Sequence, residues 1–216
     1  MKRTFLAIVV ALAAFSATAT ATHRPGHRDS ARFTADTKPF VVTFGNATTI
    51  SGRLTGRNNA RQPVRLAEDP QPYGGGFSNL ATTTTDANGN YSFRQTPASN
   101  RNYRVTTGSR SAFTGVRVRT RVSFAVGDST PRRGQRVRFS GFVAPAHNGR
   151  TVLIQRRSAT GFWRVVRRVG MVAATGDRSR YATVLTIRRS GRYRARVLAH
   201  GDHLTGTSRT RLLTVG

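Results

Sequence analysis

The sequence predicts an all-β protein built as two tandem antiparallel β-sandwich domains behind an export signal. Three observations carry this. Apolar and polar residues alternate with period two in short runs separated by Gly, Asn, Asp, Pro and Ser. No stretch of ten or more residues shows the i, i+3, i+4, i+7 apolar spacing of an amphipathic helix. And a set of landmarks recurs about 90 residues apart: ISGRL at 50–54 and FSGFV at 139–143, Val64 and Val152, Tyr91 and Tyr181, Tyr103-Arg104 and Tyr193-Arg194, with offsets of 89, 88, 90 and 90.

The N-terminus comes first. Lys2 and Arg3 precede an apolar run, FLAIVVALAAF, followed by the small-x-small sites Ala17-Thr18-Ala19 and Ala19-Thr20-Ala21. This pattern predicts a signal peptide over 1–21, with an apolar core too short to span a bilayer as an ordinary helix. Cleavage after Ala21 leaves 216 − 21 = 195 residues. No later segment approaches the roughly 20 apolar residues of a membrane helix, and the final LLTVG has no apolar tail. The expected address is secreted, extracellular or surface-associated. With no cysteine in the chain, the exported product has no disulfide to support its core.

Residues 22–39 (THRPGHRDSARFTADTKP) are polar without an apolar period and read as a linker. Candidate strands follow at Phe40-Val42-Phe44, Ile50-Gly52-Leu54, Val64-Leu66, Leu80-Thr82-Thr84, Tyr91-Phe93 and Tyr103-Val105. The second set is Val137-Phe139-Gly141-Val143, Val152-Ile154, Trp163-Val165, Tyr181-Thr183-Leu185-Ile187 and Tyr193-Ala195-Val197. Alternation of this kind belongs to sheets with one buried and one wet face. The repeat divides the chain into 40–118 and 119–216, each near the size of an Ig-like sandwich. Between them runs GVRVRTRVSFAV (115–126), with Val116, Val118, Thr120, Val122, Phe124 and Val126 at the even positions and Arg117, Arg119 and Arg121 among the odd ones. Twelve extended residues span roughly 40 Å. The expectation is one long strand, the last of the first copy and the first of the second, with even positions in the two cores and arginines in water. It would form a stiff junction that lays the domains end to end.

The stretch TTTTDANGNYSF (82–93), with PASNRNYRV (97–105) after it and ISGRLTG and PVRL before it, resembles the T-D-x-x-G-x-Y-x-F segment of carboxypeptidase-regulatory-like domains. FSGFVAPAHNGRTVLIQRR, GFWRVV, GRYRARV and HLTGTSRTRLLTV are similar to Ig-like repeats of exported actinobacterial proteins. The resemblance implies small transthyretin-like or Ig-like sandwiches that serve as accessory or adhesive modules. It implies a fold and no chemistry.

Net charge is +28, from 34 Arg and 2 Lys against 8 acidic residues. Residues 119–216 carry 21 Arg and 3 Asp, +18, whereas 39–118 carry 9 Arg and 3 acids, +6. Arginine in such excess over lysine reflects either a codon bias or recognition of anions by the planar guanidinium. On period-two strands Arg192, Arg194 and Arg196 share one face, as do Arg117, Arg119 and Arg121, with neighbours in each row roughly 6.5–7 Å apart. These six are the candidate polyanion-binding residues. Anionic envelope polymers or polysaccharide are the expected partners. Nucleic acid is less favoured, because export removes the genome and the aromatic interleaving used for base stacking is missing.

Asp86, Asn88 and Asn90 have calcium-loop spacing, but Gly89 is misplaced and Pro97 stands where a closing carboxylate is required. A hairpin turn with Asn88-Gly89 as a type I′ pair is the expectation. His200-Gly201-Asp202-His203 offers metal-binding side chains but reads as a loop, and His147 as a turn residue. Trp163, beside Phe162 and Val165, is expected in the core rather than as a sugar platform. Tyr103 and Tyr193 are expected to pack with their hydroxyls bonded locally. There is no G-x-S-x-G, H-E-x-x-H, P-loop or cysteine nucleophile, and the few carboxylates form no spaced pair. The expectation is a non-enzymatic protein with no cofactor and no metal.

Overall fold

Among residues 31–216, which the computed structural model describes, every regular element is a strand. The expected signal peptide (1–21) and residues 22–30 of the expected linker lie outside the described residues.

The strands before residue 120 are β1 (Asp36–Lys38), β2 (Val41–Thr43), β3 (Thr48–Arg53), β4 (Pro63–Pro70), β5 (Ser78–Thr84), β6 (Asn90–Gln95), β7 (Arg101–Thr107) and β8 (Arg110–Arg119). They form a three-stranded sheet, β1-β3-β6, and a five-stranded sheet, β2-β8-β7-β4-β5, antiparallel throughout except for the parallel pair β2 and β8. After it come β9 (Arg121–Val122), β10 (Ala125–Val126), β11 (Gln135–Ala144), β12 (Thr151–Arg157), β13 (Trp163–Gly170), β14 (Val172–Ala174), β15 (Arg178–Ile187), β16 (Gly191–Val197), β17 (Gly206–Thr207) and β18 (Arg211–Leu213). One sheet runs β10-β11-β15-β14, with β9 also on β11, and the other β13-β12-β16-β17, with β18 also on β16.

The pairing order repeats. β3 lies beside β6 as β11 lies beside β15, and β5-β4-β7 corresponds to β13-β12-β16. In each half the inward residues of both sheets meet in one apolar cluster. Ile50, Leu66, Phe93, Tyr103, Val105 and Val116 belong to the first, and Phe124, Phe139, Ile154, Ile187, Ala195 and Leu213 to the second. Fully burying each of the Val, Leu, Ile and Phe side chains among them contributes about 1.5–3 kcal/mol.

The repeated landmarks have a common physical cause. Tyr91 pairs with Gly52 across β6 and β3, and its hydroxyl donates to the Thr34 carbonyl at 2.5 Å. Tyr181 pairs with Gly141 across β15 and β11, and its hydroxyl donates to the Ser123 carbonyl at 2.6 Å. A Cβ at position 52 would collide with both the Thr34 oxygen and the Tyr91 hydroxyl, and one at 141 with the Ser123 oxygen and the Tyr181 hydroxyl. The Ser-Gly pair in ISGRL and FSGFV thus clears the path by which a tyrosine pins the segment that leads into each half.

The same arrangement corrects the linker. Its C-terminal part is strand β1. Phe33 bridges to Leu54 and sits 5.3 Å from the Tyr91 ring, and Thr37 is buried with its hydroxyl 3.0 Å from that of Thr114. Phe33, Ala35 and Thr37 alternate inward, a short period-two run masked by its polar neighbours. A second correction concerns 115–126. The alternation holds, since Val116 and Val118 enter the first cluster and Phe124 the second, with Thr120 buried between them. The strand does not run through. It breaks at Thr120, whose amide turns to the Leu204 carbonyl at 3.2 Å, and again at Ser123-Phe124 between β9 and β10. The chain is there leaving the sheet of β8 for that of β11.

The junction is held instead by the loop between β16 and β17. Asn100 donates its amide to the Asp202 carbonyl and accepts the Val118 amide on Oδ1 at 2.7 Å. Leu204 donates to the Val118 carbonyl at 2.8 Å, and Gln71 Nε2 to the Gly201 carbonyl at 2.6 Å. Residues 31–216 form one compact unit.

A third correction concerns DANGN. β5 and β6 belong to different sheets, so the turn carries the chain from one sheet to the other and closes no hairpin between them. Only Gly89 has positive φ, at 83°, and Asn88 does not, so the turn is not type I′. The strand β5 also faces opposite to expectation: Leu80 and Thr82 point outward while Ala81 packs on the cluster, in register with Leu66 beside a bulge.

Candidate anionic-polymer interface

In β16, Tyr193, Ala195 and Val197 point into the core, so Arg192, Arg194 and Arg196 project together from the outer face. The sheet register sets their neighbours. Arg194 lies opposite Gln155, which lies opposite Val165, and Arg196 lies opposite Leu153, which lies opposite Arg168. Although Gln155 and Leu153 belong to the outer face, they are only 4% and 6% exposed. Long arginine side chains stand beside them in register, and one aromatic ring lies against the row. That ring is Trp163: the Arg194 guanidinium stands 4.0 Å from its centroid and donates through Nε to Gln155 Oε1 at 2.9 Å. Burial, and then the charge of Arg196, lowers the Arg194 pKa.

Trp163 is therefore not a core residue, contrary to the sequence expectation. Val169, of the same parity on β13, does face the core. Between them the register with β12 shifts at Ile154/Gln155, leaving Val166 as an extra residue. A β-bulge of this kind reverses which parity faces inward.

Beside the row, a recess of about 490 Å³ is lined by Arg157, Arg192, Ser158, Ser190, Gly191 and Leu212, among others. Arg157 is oriented by its Nε–H to the Gly161 carbonyl at 3.0 Å. Strands β12, β13, β16, β17 and β18 contain no Asp or Glu, so nothing on them neutralises Arg157, Arg168, Arg192, Arg194 and Arg196. Side by side these present a planar guanidinium over an aromatic ring and fork-shaped donors for phosphate or carboxylate.

The other three candidate arginines do not form a second row of this kind. Arg117 lies 5.6 Å from the rings of both Phe40 and Tyr73 and reaches the Val116 carbonyl and Asn102. Arg121 donates to the Phe44 carbonyl and to Asn46 Oδ1, both at 2.8 Å. Arg119 alone is exposed without a side-chain partner among the described residues, its carbonyl accepting the Phe44 amide. Two of the three bind this chain's own groups.

The Asp86 carboxylate accepts the amides of Asn88 and Asn90 at 2.8 Å and the Asn90 side chain at 3.0 Å, and these hydrogen bonds, that from the Asn90 side chain first, hold its pKa below the usual carboxylate value. The oxygens that a calcium ion would use close the turn.

His200 and His203 do lie in a loop, but His203 is buried: its Nδ1 faces Asp202 Oδ1 and its Nε2 the Ala98 carbonyl, both at 2.8 Å. His147 is also buried, with its ring centroid 5.6 Å from that of His203 and 6.3 Å from that of His200. Burial first, then the charge of Arg150, lowers the His200 pKa. Sequence reasoning missed this convergence. Residues 147 and 200 are brought together only by the junction, and no local signal marks it. Among the described residues no group of three or more His, Asp, Glu or Cys side chains is placed to hold a metal ion.

No protein-family model matches the chain, and no curated protein matches it.

Proposed function

We propose that this chain is an exported, non-enzymatic structural or adhesive protein of the bacterial envelope that associates with anionic polymers through arginine. In this reading it is built from two tandem Ig-like β-sandwiches, residues 40–118 resembling a carboxypeptidase-regulatory-like domain and 119–216 an Ig-like repeat. The observation that supports it most is the outer face around Arg192, Arg194 and Arg196. These arginines rise from the central part of a sheet without carboxylates, one of them stacked on Trp163. Charge neutralisation of a polyanion on such a row is steeply salt-dependent.

A second reading is favoured by the recess between Arg157 and Arg192: a dedicated binder of acidic polysaccharide or extracellular nucleic acid, in which the recess takes one phosphate or carboxylate and Trp163 stacks on the adjoining ring.

One experiment separates them. Binding to purified cell wall and to a defined acidic polysaccharide is measured at low and high salt. The purified chain is compared with an Arg192→Ala/Arg194→Ala/Arg196→Ala variant and with a control carrying three scattered exposed changes, Arg110→Ala, Arg132→Ala and Arg133→Ala. Adhesion through arginine charge predicts that both variants weaken, the first more because its three charges share one face, with no polymer preferred; equal weakening of both removes the role of the row. A dedicated site predicts selective loss in the first, with saturation by one preferred polymer. No binding at low salt removes both readings.

A further inference from the structure

The opposite sheet of the second half carries a different feature, independent of the arginine row. We propose that its outer face is a binding trough for a single-chain amphiphilic anion, an alkyl tail ending in one carboxylate, phosphate or sulfate group.

Strand register builds the trough. Ala125 lies opposite Ser140, and Ser140 opposite Ala182, so three small side chains form a continuous low row across β10, β11 and β15. On one side the next outward row is Phe142, Arg180 and Val172, again in register across β11, β15 and β14. On the other side stand Arg138 and Val184. Small residues between two rows of large ones leave a groove of about 860 Å³. The low row crosses three strands, a length of about 10 Å at ordinary strand spacing.

Its chemistry is two-sided. Phe142 is 45% and Val172 53% exposed on one side, with Arg180 between them, and Val184 is exposed on the other, apolar side chains left in water on a strongly charged molecule. Every charged residue lining the groove is an arginine: Arg138, Arg180, Arg209 and Arg211. Arg211 is oriented at the β10 edge by its Nε–H to the Phe124 carbonyl at 3.3 Å, and Arg178 covers the Phe142 ring at 5.1 Å. A floor of small side chains flanked by exposed Phe142 and Val172 asks for a tail, and the guanidinium groups beside it ask for an anion. A second copy of this chain fits poorly, since it would bring a further +28 against the same arginines.

The test is isothermal titration of the purified chain with decanoate, decanol and acetate, all below their aggregation concentrations, with the oligomeric state followed by sedimentation. Two variants change exposed positions and are checked for an unchanged circular dichroism spectrum: Ala182→Leu, which fills the low row, and Arg138→Gln/Arg180→Gln, which removes charge. Decanoate is expected to bind one-to-one and about tenfold more tightly than decanol, a difference of about 1.4 kcal/mol. The charge variant should reduce decanoate to the affinity of decanol, and Ala182→Leu should abolish both, while acetate alone binds negligibly. Changing Arg192, Arg194 and Arg196 to Ala should leave decanoate binding intact, which separates this site from the polymer interface. Equal affinity for decanoate and decanol overturns the proposal, as does binding unaffected by Ala182→Leu. A dimer that Ala182→Leu dissociates would assign the face to a second copy and overturn it as well.

Discussion

Three tyrosine hydroxyls distinguish a structural bond from an incidental one. Tyr181 is almost wholly buried, and its hydroxyl donates to the Ser123 carbonyl at 2.6 Å. Changing it to Phe keeps the ring in the cluster and removes only the donor, so the carbonyl loses its partner in a site partly closed to water. Such a loss costs about 1–2 kcal/mol. Tyr91→Phe removes the equivalent bond to Thr34 and should cost a similar amount. Tyr103 is equally buried, but its hydroxyl finds no hydrogen-bond partner, against the expectation of a local bond. Removing a desolvated, unpaired hydroxyl should be neutral or stabilising, by about 0–1 kcal/mol. The assay is urea unfolding. Trp163, the single tryptophan, reports on the second half by fluorescence, and circular dichroism reports on the chain as a whole. With a slope of about 1–3 kcal/mol per molar urea, Tyr181→Phe should lower the fluorescence midpoint by roughly 0.5–1 M. A Tyr103→Phe midpoint that falls as far as that of Tyr181→Phe, or a Tyr181→Phe midpoint that does not move, refutes the assignment of the Ser-Gly and Tyr landmarks to this bond.

Other outcomes follow from the same geometry. Gly52→Ala and Gly141→Ala place a methyl group against a carbonyl oxygen and a tyrosine hydroxyl; each should destabilise by about 1–3 kcal/mol, at least as much as the matching Tyr→Phe change in the same urea assay. His203→Leu leaves the Ala98 carbonyl and the Asp202 carboxylate without their imidazole partner at the junction. It should cost about 1–3 kcal/mol and accelerate hydrogen exchange at the Asn100 and Leu204 amides, with little change at Phe139. Burial raises the Tyr103 pKa from 10.0 to about 12. Because the folded value lies above the unfolded one, the stability contributed by the neutral phenol is full below pH 10 and is lost as pH rises through about 12. Alkaline titration of the unfolding midpoint should show this fall, and Tyr103→Phe should reduce it.

The sequence revealed what period two and repetition encode. The all-strand character, the recurrence of ISGRL as FSGFV, and the common face of Arg192, Arg194 and Arg196 all follow from side chains that alternate across a pleated strand. What stayed hidden depends on partners distant in the chain or on single inserted residues. The bulge at Val166 turned Trp163 outward, and nothing in WRVVRRV announces it, because an extra residue becomes visible only against the opposing strand. β1 escaped notice because Asp36 and Lys38 flank its one buried residue. His147 and His203 meet across a junction whose key bonds run from Asn100 to Asp202 and Val118. The arginine faces separated for a similar reason: Arg117 and Arg121 had aromatic rings and carbonyls within reach, and the sequence pattern could not show which guanidinium groups were already engaged.

The parallel pairing of β2 with β8 bears on how the chain would respond to tension. Val41, Val42 and Thr43 run alongside Arg117, Val118 and Arg119 in the same direction, closed by amides of Arg117 and Phe44 donating to the carbonyls of Phe40 and Arg119. A force entering at residue 40 and leaving at residue 119 pulls these segments past one another along their length. The bonds between them would then have to yield together instead of opening one after another like a zipper, which gives a tethered protein of this build a way to resist being stretched.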